Sequence, residues 1–497
     1  MTRSRGGPFR AWHLPPGCSP RPDEVVDLPA GELPSLQRLA LSPSRLRELA
    51  GALRAERETG LLGRSVGDVA KVVDRVARRL LDPVDPLRKA TLESLGPQTG
   101  LSRPMAAEVL EGMARQWTRG ALEALLASDF PDPGVLDGFR DGPAGSRIRA
   151  LGHPLTFHLG AGTVPGVAVT SLIRALLVKS AVLLKPGRGD VVLPVAFAAG
   201  LEEADEELAG AVAVMYWPGD AGGGEGATTV ALDEADLVVG YGGDDTLRRI
   251  RDALPPTTPL RAYRHRMGVG LVGRGALTRG GASGTERGSA GSGEGGGWER
   301  ARATAEAVAR AVALFDQRGC VSPHAVLVED GGETSPGEWT DLLAESLAAL
   351  EKALPSGVVG RDEGAALQQL RGTAEMEEAV GRGMVRHGGS ASPWTVLYRP
   401  GGKVEPSCLN RTVRVIPVAD LEGSLALLEP WKAHLQTVGV AGLGEGEGRI
   451  VHRLSVLGVS RVADFGRVPW PPAWWHHDGT GPLRALVRWT DVEGELR

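Results

Sequence analysis

The sequence predicts an α/β protein organised around parallel sheet. Short apolar runs that stop at Pro or Gly alternate with stretches of helical periodicity, the pattern of strands buried on both faces and connected by helices. The runs are 181–184 before Pro186, Ala211–Tyr216 before Pro218, and Asp236–Val239 before Gly240. A stretch over 273–298, rich in Gly, Ser, Ala and Thr and without periodicity, reads as a linker between this series and a second one.

The elements follow in order. Residues 1–35, rich in Pro, Gly and Arg, read as a flexible N-terminal arm or edge wrap. Residues 36–130 read as a helical lead-in: Ser42-Pro43 is a cap followed by Pro at the first position, and Leu46, Leu49, Leu53, then Val69, Val72, Val76 and Leu80 recur at three- and four-residue spacing. Helices are expected over 166–179, 190–209 and 244–253, between the three strands. After the linker, Glu299–Phe315 places Val308, Ala311, Val312 and Phe315 on one face and stops before Gly319. The second series then reads strand 325–329, helices 337–353 and 363–381, strands 394–399 and 412–418, helix 420–433 and strand 435–440. The C-terminal 466–497 opens on an unusual Pro/Trp segment, Pro469 to Trp475 followed by His476-His477-Asp478-Gly479.

Length and composition bound the function. At roughly 150 residues per domain, 497 residues make two to four domains. A net charge of −5 argues against nucleic acid or an anionic membrane as the main partner. The most apolar window, Val164–Leu184, contains Arg174 and Lys179, so no membrane span is expected; Met1–Pro22 lacks the apolar segment of a secretory signal. Three cysteines, an odd and sparse set, fit a reducing cytoplasm.

Cys320 leads the candidates for chemistry. It sits past a helix in Phe315-Asp316-Gln317-Arg318-Gly319-Cys320-Val321-Ser322-Pro323, a polar, glycine-flanked context where a thiolate can meet a ligand and a cation such as Arg318 can lower its pKa. The competing reading is a small buried hydrophobe. Cys18 and Cys408 read as incidental. The loop Gly162-Thr163-Val164-Pro165-Gly166 opens a helix, and Lys185 closes a strand at the end where open sheets bind ligands. Gly240-Tyr241-Gly242-Gly243 forms a turn of little side-chain bulk, suited to a pyrophosphate or simply to a tight reversal. The Gly-x-Gly-x-x-Gly match at Gly268, Gly270 and Gly273 is rejected as a nucleotide fingerprint, because Val269–Val272 reads as the strand itself. Gly63-Arg64-Ser65-Val66-Gly67 reads as a helix–helix loop with a capping Ser rather than a nucleophile elbow. Adjacent His476 and His477 point to opposite faces of an extended segment, so no metal site is expected.

In their order along residues 100–490 these segments resemble the acyl-CoA reductase family of the aldehyde dehydrogenase superfamily. The resemblance rests on Gly162-Thr163-Val164-Pro165-Gly166-Val167, Leu177-Val178-Lys179-Ser180, Lys185-Pro186 and Tyr241-Gly242-Gly243-Asp244. Its most specific parts are Asp316-Gln317-x-x-Cys320-x-Ser322-Pro323 and the Trp470-Pro471-Pro472 to Trp489 region. It implies an aldehyde-dehydrogenase-like fold: a Rossmann-like NADP-binding domain with its lead-in over 36–272, an α/β catalytic domain over 299–465, an active-site cleft between them, and a C-terminal return or oligomerisation segment over 466–497. Cys320 then maps onto the nucleophile, Thr163 onto the oxyanion-hole position, Lys185 onto the lysine that holds the adenosine ribose or its phosphate, and Gly242 and Gly243 onto the pyrophosphate turn. Thr163 departs from the superfamily's amide. The glutamate that activates water in hydrolytic relatives is missing from Tyr263–Gly268, as suits a reductase whose acyl thioester must survive. Arg188 stands where many NAD-preferring relatives place glutamate, which favours the 2′-phosphate of NADPH. The implied activity is NADPH-dependent reduction of long-chain fatty acyl-CoA to fatty aldehyde through a Cys320 S-acyl enzyme, with an acyl-transferase or acyl-protein synthetase as a partner and a homo-oligomeric state. The alternatives are an aldehyde dehydrogenase or CoA-acylating dehydrogenase, or a non-catalytic cofactor-binding descendant.

Overall fold

A computed structural model describes residues 8–31, 34–219, 225–277, 296–389 and 392–494. Residues 278–295 of the expected linker, and 1–7 and 32–33 of the expected arm, lie outside the described residues. The chain divides into two compact units, one formed by the residues up to His265 together with those from Pro472 onward, the other by Arg266–Pro471.

The first unit holds a six-stranded sheet. Its strands in chain order are β1 (Trp12–His13), β2 (Leu155–Leu159), β3 (Ala181–Lys185), β4 (Val212–Met215), β5 (Leu237–Gly242) and β6 (Leu260–Arg264). They lie in the order β6-β5-β2-β3-β4-β1, all parallel except the edge pair β1·β4. Chain order runs outward from β2 to β4 on one side and then from β5 to β6 on the other, so the sheet has a topological switch point between β2 and β5. Part of the expected arm is therefore paired: Trp12 lies opposite Met215, and Phe9 opposite Leu36. Residues 36–39 add a strand ahead of the lead-in helices. Those helices start as their side chains dictate. Ser42 accepts the Arg45 N–H at 3.2 Å with Pro43 at the first position, and Ser65 accepts the Asp68 N–H at 3.1 Å to open Val66–Leu81. Ser65 is thus the capping residue expected of it.

The second unit holds seven strands: β7 (Met267–Val272), β8 (Pro323–Glu329), β9 (Met384–His387), β10 (Thr395–Tyr398), β11 (Thr412–Val418), β12 (Leu435–Ala441) and β13 (Arg461–Asp464). Their order is β9-β10-β11-β8-β7-β12-β13, with only β9·β10 antiparallel. Side chains alternate between two cores. Val272, Val326, Val328, Val413 and Val415 pack with Val308, Val312, Trp339 and Leu343 of the helices Gly296–Ala313 and Pro336–Ala353. Val269, Leu271, Leu327, Ile416 and Val438 pack with Leu425, Leu428, Ile450 and Leu454 on the other face. β7, read from the sequence as the end of the first domain, is central to the second sheet, pairing with β8 and β12. The expected helix 420–433 is a single α-turn, Leu421–Ser424, continued as a 3-10 helix around Pro430.

The C-terminal segment returns to the first unit. Val487–Val492 pairs antiparallel with Arg147–Gly152. The His477 ring stacks on Tyr263 (4.5 Å between centroids) and on Trp475 (4.7 Å), and Tyr263 stacks on Tyr241 (4.6 Å). Buried Asp129 fixes the return: its Oδ2 accepts the Leu483 N–H (2.5 Å) and the Arg484 N–H (2.8 Å). Replacing Asp129 with Ala strands both donors. We expect Asp129→Ala to lose about 3 kcal/mol, measured by urea unfolding, with new protease cleavage within 472–494; an unchanged midpoint refutes the anchor.

Candidate active site

The candidate cofactor residues gather at the carboxyl ends of the first unit's parallel strands, beside the switch point where open sheets bind ligands. The loop after β2 carries Gly162 and Thr163 and opens the helix Val167–Leu177; Thr163 is exposed. The loop after β3 carries Lys185 and Arg188. The two loops touch backbone to backbone. The Gly160 N–H donates to the Lys185 carbonyl at 2.8 Å, a Cβ at Gly187 would lie 2.4 Å from Gly162 Cα, and one at Gly189 2.2 Å from the Gly162 carbonyl oxygen. Only glycine permits this approach. The Lys185 ammonium stands over Tyr216 (5.9 Å) and Trp217 (5.7 Å), a cation held on aromatic faces at the strand end. The Arg188 guanidinium donates to the carbonyls of Pro29 (3.5 Å) and Pro34 (3.3 Å). Gly242 ends β5 and Gly243 caps the helix Asp244–Ala253. The nearest atoms to a Cβ there are 3.7 and 4.0 Å away, so packing does not demand glycine at either position. Glycine-rich loops, a helix N-terminus, a cation at a strand end and another in the loop beyond it suit the pyrophosphate and adenosine half of a dinucleotide.

Asp190 lies beneath these loops, and the sequence reading missed it. It is fully buried, its Oδ1 accepts the Gly166 N–H at 3.1 Å, and its Oδ2 has no hydrogen-bond partner. Burial pushes its carboxyl well above the usual range, against the pull of the N–H groups of Gly166 and Ala168.

Cys320 belongs to the second unit. It is half-buried in the turn between the 3-10 helix Leu314–Gln317 and β8. This turn presses on the start of β7: the Gly268 N–H donates to the Ser322 carbonyl at 3.1 Å, and a Cβ at Gly268 would sit 2.2 Å from the Val321 carbonyl oxygen. The rejected Gly-x-Gly-x-x-Gly match has its explanation here. Gly268 clears the Cys320 turn, Gly270 clears the Phe465 ring, and Gly273 clears the Gly442 carbonyl. Arg318 donates to the Val358 carbonyl at 3.4 Å. A second cation, Arg461 at the start of β13, interacts electrostatically with Cys320. Its guanidinium donates to the carbonyls of Val468 (2.9 Å) and Arg467 (2.6 Å), and burial draws its pKa down to about 10, a shift that a thiolate at Cys320 opposes.

The backbone ahead of Cys320 is unusual. Phe315, Asp316 and Gln317 have φ of 57°, 50° and 64°, all left-handed, at about 1–2 kcal/mol each for residues with a Cβ. Leu409, Asn410 and Arg411 form a second such turn, with φ of 63°, 51° and 55°. Cys408 lies just before this second turn, its Sγ 3.6 Å from Thr412 Oγ1. Among the described residues no group of three or more His, Cys, Asp or Glu is placed to hold a metal ion.

Solved aldehyde dehydrogenases share this architecture. An indole-3-acetaldehyde dehydrogenase from P. syringae superposes with a TM-score of 0.72 at 13% identity, covering 98% of this chain and 97% of that one. An NAD-dependent aldehyde dehydrogenase from Sinorhizobium meliloti gives 0.69 at 14%, covering 98% and 94%. The fold is that of the aldehyde dehydrogenases. A sequence model of the acyl-CoA reductase (LuxC) family matches residues 62–489, and the chain belongs to that family of oxidoreductases. Two long-chain acyl-protein thioester reductases are relatives. The one from Aliivibrio fischeri is 25% identical over 381 residues (76% of this chain, 71% of the relative), and the one from Photobacterium leiognathi 24% over 385 (76% and 71%).

The raised carboxyl of Asp190 has a definite consequence with pH. Above the unfolded value of 3.8 the unfolded chain releases a proton that the folded chain keeps, so Asp190 costs the fold stability as pH rises from about 4 toward neutral. Asp190→Asn keeps the acceptor for Gly166 without that cost. We expect the variant to be more stable than the parent at pH 7 and the gap to close near pH 4; a gap constant with pH refutes the assignment. Urea midpoints across pH measure it.

Proposed function

We propose that the chain reduces a long-chain acyl thioester to the aldehyde through an S-acyl enzyme on Cys320, with acyl-CoA as donor and NADPH as reductant. The observation that carries the reading is the Cys320 turn itself, a half-buried thiol between a 3-10 helix and β8 in a chain of the acyl-CoA reductase family. The Cys320 thiolate attacks the thioester carbonyl, and the Cys320 N–H holds the oxyanion, with Thr163 assigned a second donor role from the family resemblance alone. The bond to the CoA sulfur breaks, CoA leaves as the thiolate and takes a proton from water, and an acyl–Cys320 thioester remains. A bound reduced nicotinamide supplies a hydride. Two-electron reduction of the acyl carbonyl gives a hemithioacetal, whose collapse releases the aldehyde and returns the thiolate to Cys320. Lys185 and Arg188 hold the adenosine ribose and its 2′-phosphate, and Gly242 and Gly243 border the pyrophosphate. No glutamate in Tyr263–Gly268 activates water against the acyl enzyme. The relatives' names favour an acyl-protein as a second donor, and the partner we propose for its delivery is an acyl-transferase or acyl-protein synthetase. We also propose a homo-oligomer working in the cytoplasm; no described helix is long and apolar enough to cross a membrane.

Cys320→Ala is expected to abolish both covalent labelling from radiolabelled acyl-CoA and aldehyde formation. Labelling that persists in the variant overturns the nucleophile. Offering acyl-CoA and acyl-protein to the parent, with trapped aldehyde identified by mass, separates the donors.

Arg188→Ala is expected to lower kcat/KM for NADPH about tenfold while changing that for NADH less than about twofold, as befits a charge-assisted phosphate contact. Equal losses with both cofactors refute the 2′-phosphate role.

A further inference from the structure

The two left-handed turns are tied together by buried polar groups. Arg411 Nε and Nη2 donate to Asp316 Oδ1 at 3.1 and 2.8 Å, with the side chains 1% and 4% exposed. Arg411 Nη1 donates to Glu351 Oε2 (2.6 Å) and to the Leu354 carbonyl (3.0 Å), and Asp316 Oδ2 accepts the Gly357 N–H (3.0 Å). Beside this pair, Gln317 Nε2 donates to the carbonyls of Thr412 (2.7 Å) and Pro323 (2.8 Å), and its Oε1 accepts the Thr412 N–H (2.8 Å). Two runs of three residues with side chains thus adopt left-handed backbone, joined by one ion pair from Arg411 to Asp316 and flanked by one amide from Gln317 to Thr412, the residue after the second run. Strained backbone persists only where its surroundings over-determine it. Here the over-determined segment ends three residues before Cys320, and its far side, Pro323, begins the strand after it. The Cys320 turn is therefore bracketed by Gln317 and Pro323, which one side chain connects.

We propose that Arg411 is a positioning residue: acting through Asp316, and alongside the Gln317–Thr412 bonds, it fixes the left-handed turn that leads into the Cys320 turn and so sets the reactivity of that thiol. The inference builds on the reading of Cys320 as nucleophile, but the reactivity of the thiol is measurable without it.

The test uses the full chain and compares Arg411→Ala, Arg411→Lys and Asp316→Asn with the parent. Iodoacetamide alkylation of Cys320 is followed by peptide mass spectrometry as a ratio to that of Cys18, which lies in the other unit. With the turn released, the sulfur is no longer held in its half-buried place, and the ratio is expected to shift about tenfold in Asp316→Asn and Arg411→Ala. The kcat for acyl-CoA falls about 10²-fold with KM changed less than about threefold, as for a misplaced reacting group. Arg411→Lys, which keeps the charge but not the fork, restores part of both. If Arg411→Ala does not fold by circular dichroism, Asp316→Asn and Arg411→Lys decide. A folded Asp316→Asn with the parent's alkylation ratio overturns the proposal, as does activity lost only in proportion to folded protein. An altered ratio in a chain whose parent is never acyl-labelled at Cys320 supports the clamp and refutes the proposed function instead.

Discussion

Parallel strands covered on both faces have no polar face to offer, and this constraint governs both units. In the second unit the side chains of β7, β8 and β11 alternate between two apolar cores, each closed by helices. The apolar cores leave the strand ends and the turns that join them as the main places for charged and reactive groups. Because β7 is hydrogen-bonded on both sides, its start is also the floor on which the Cys320 turn rests. The requirement for glycine at 268 is thus imposed jointly by the sheet and by the candidate nucleophile.

The Arg411–Asp316 pair is better understood as a device for specifying conformation than for adding stability. A buried ion pair regains in attraction roughly what it loses in desolvation, whereas removing one partner leaves a buried charge and costs about 3–5 kcal/mol. That asymmetry suits a strained turn. Left-handed backbone at Phe315–Gln317 has competing right-handed alternatives. An alternative that moves Asp316 away from Arg411 leaves both charges without their partner.

What the sequence revealed follows the range of the interactions involved. The helix 244–253 and the strand 412–418 were legible to the residue, the first from its acidic N-terminus and the second from its β-branched run. β2 was not, because Thr156 and His158 interrupt its apolar run; in the fold they satisfy each other, with His158 Nε2 2.9 Å from Thr156 Oγ1 and Nδ1 2.7 Å from Ser171 Oγ. β13 was missed because Arg461 and Asp464 bound a strand of only four residues. Cys320, Thr163, Lys185 and Arg188 could be nominated because each lies in a local motif. Arg411 meets Asp316 across 95 residues, and nothing in either local segment announces the partner.

The two units fix their functional loops by different means, and the difference follows from which end of the strand each loop occupies. In the first unit the loops after β2 and β3 leave the carboxyl ends of adjacent parallel strands. They converge, and glycines at 187 and 189 let one backbone brace the other. No buried ion pair is needed to hold them. Cys320 instead precedes β8, at the amino end of its strand, where the rule that open sheets bind ligands at carboxyl ends does not lead. The chain arrives there from a helix and must reverse into the strand. Gly268 braces that reversal from below, and the geometry of the approach falls to side chains: Gln317 spanning from Thr412 to Pro323, and Arg411 holding Asp316. A loop braced by backbone depends on glycine at the contact, whereas one braced by side chains depends on each of those side chains.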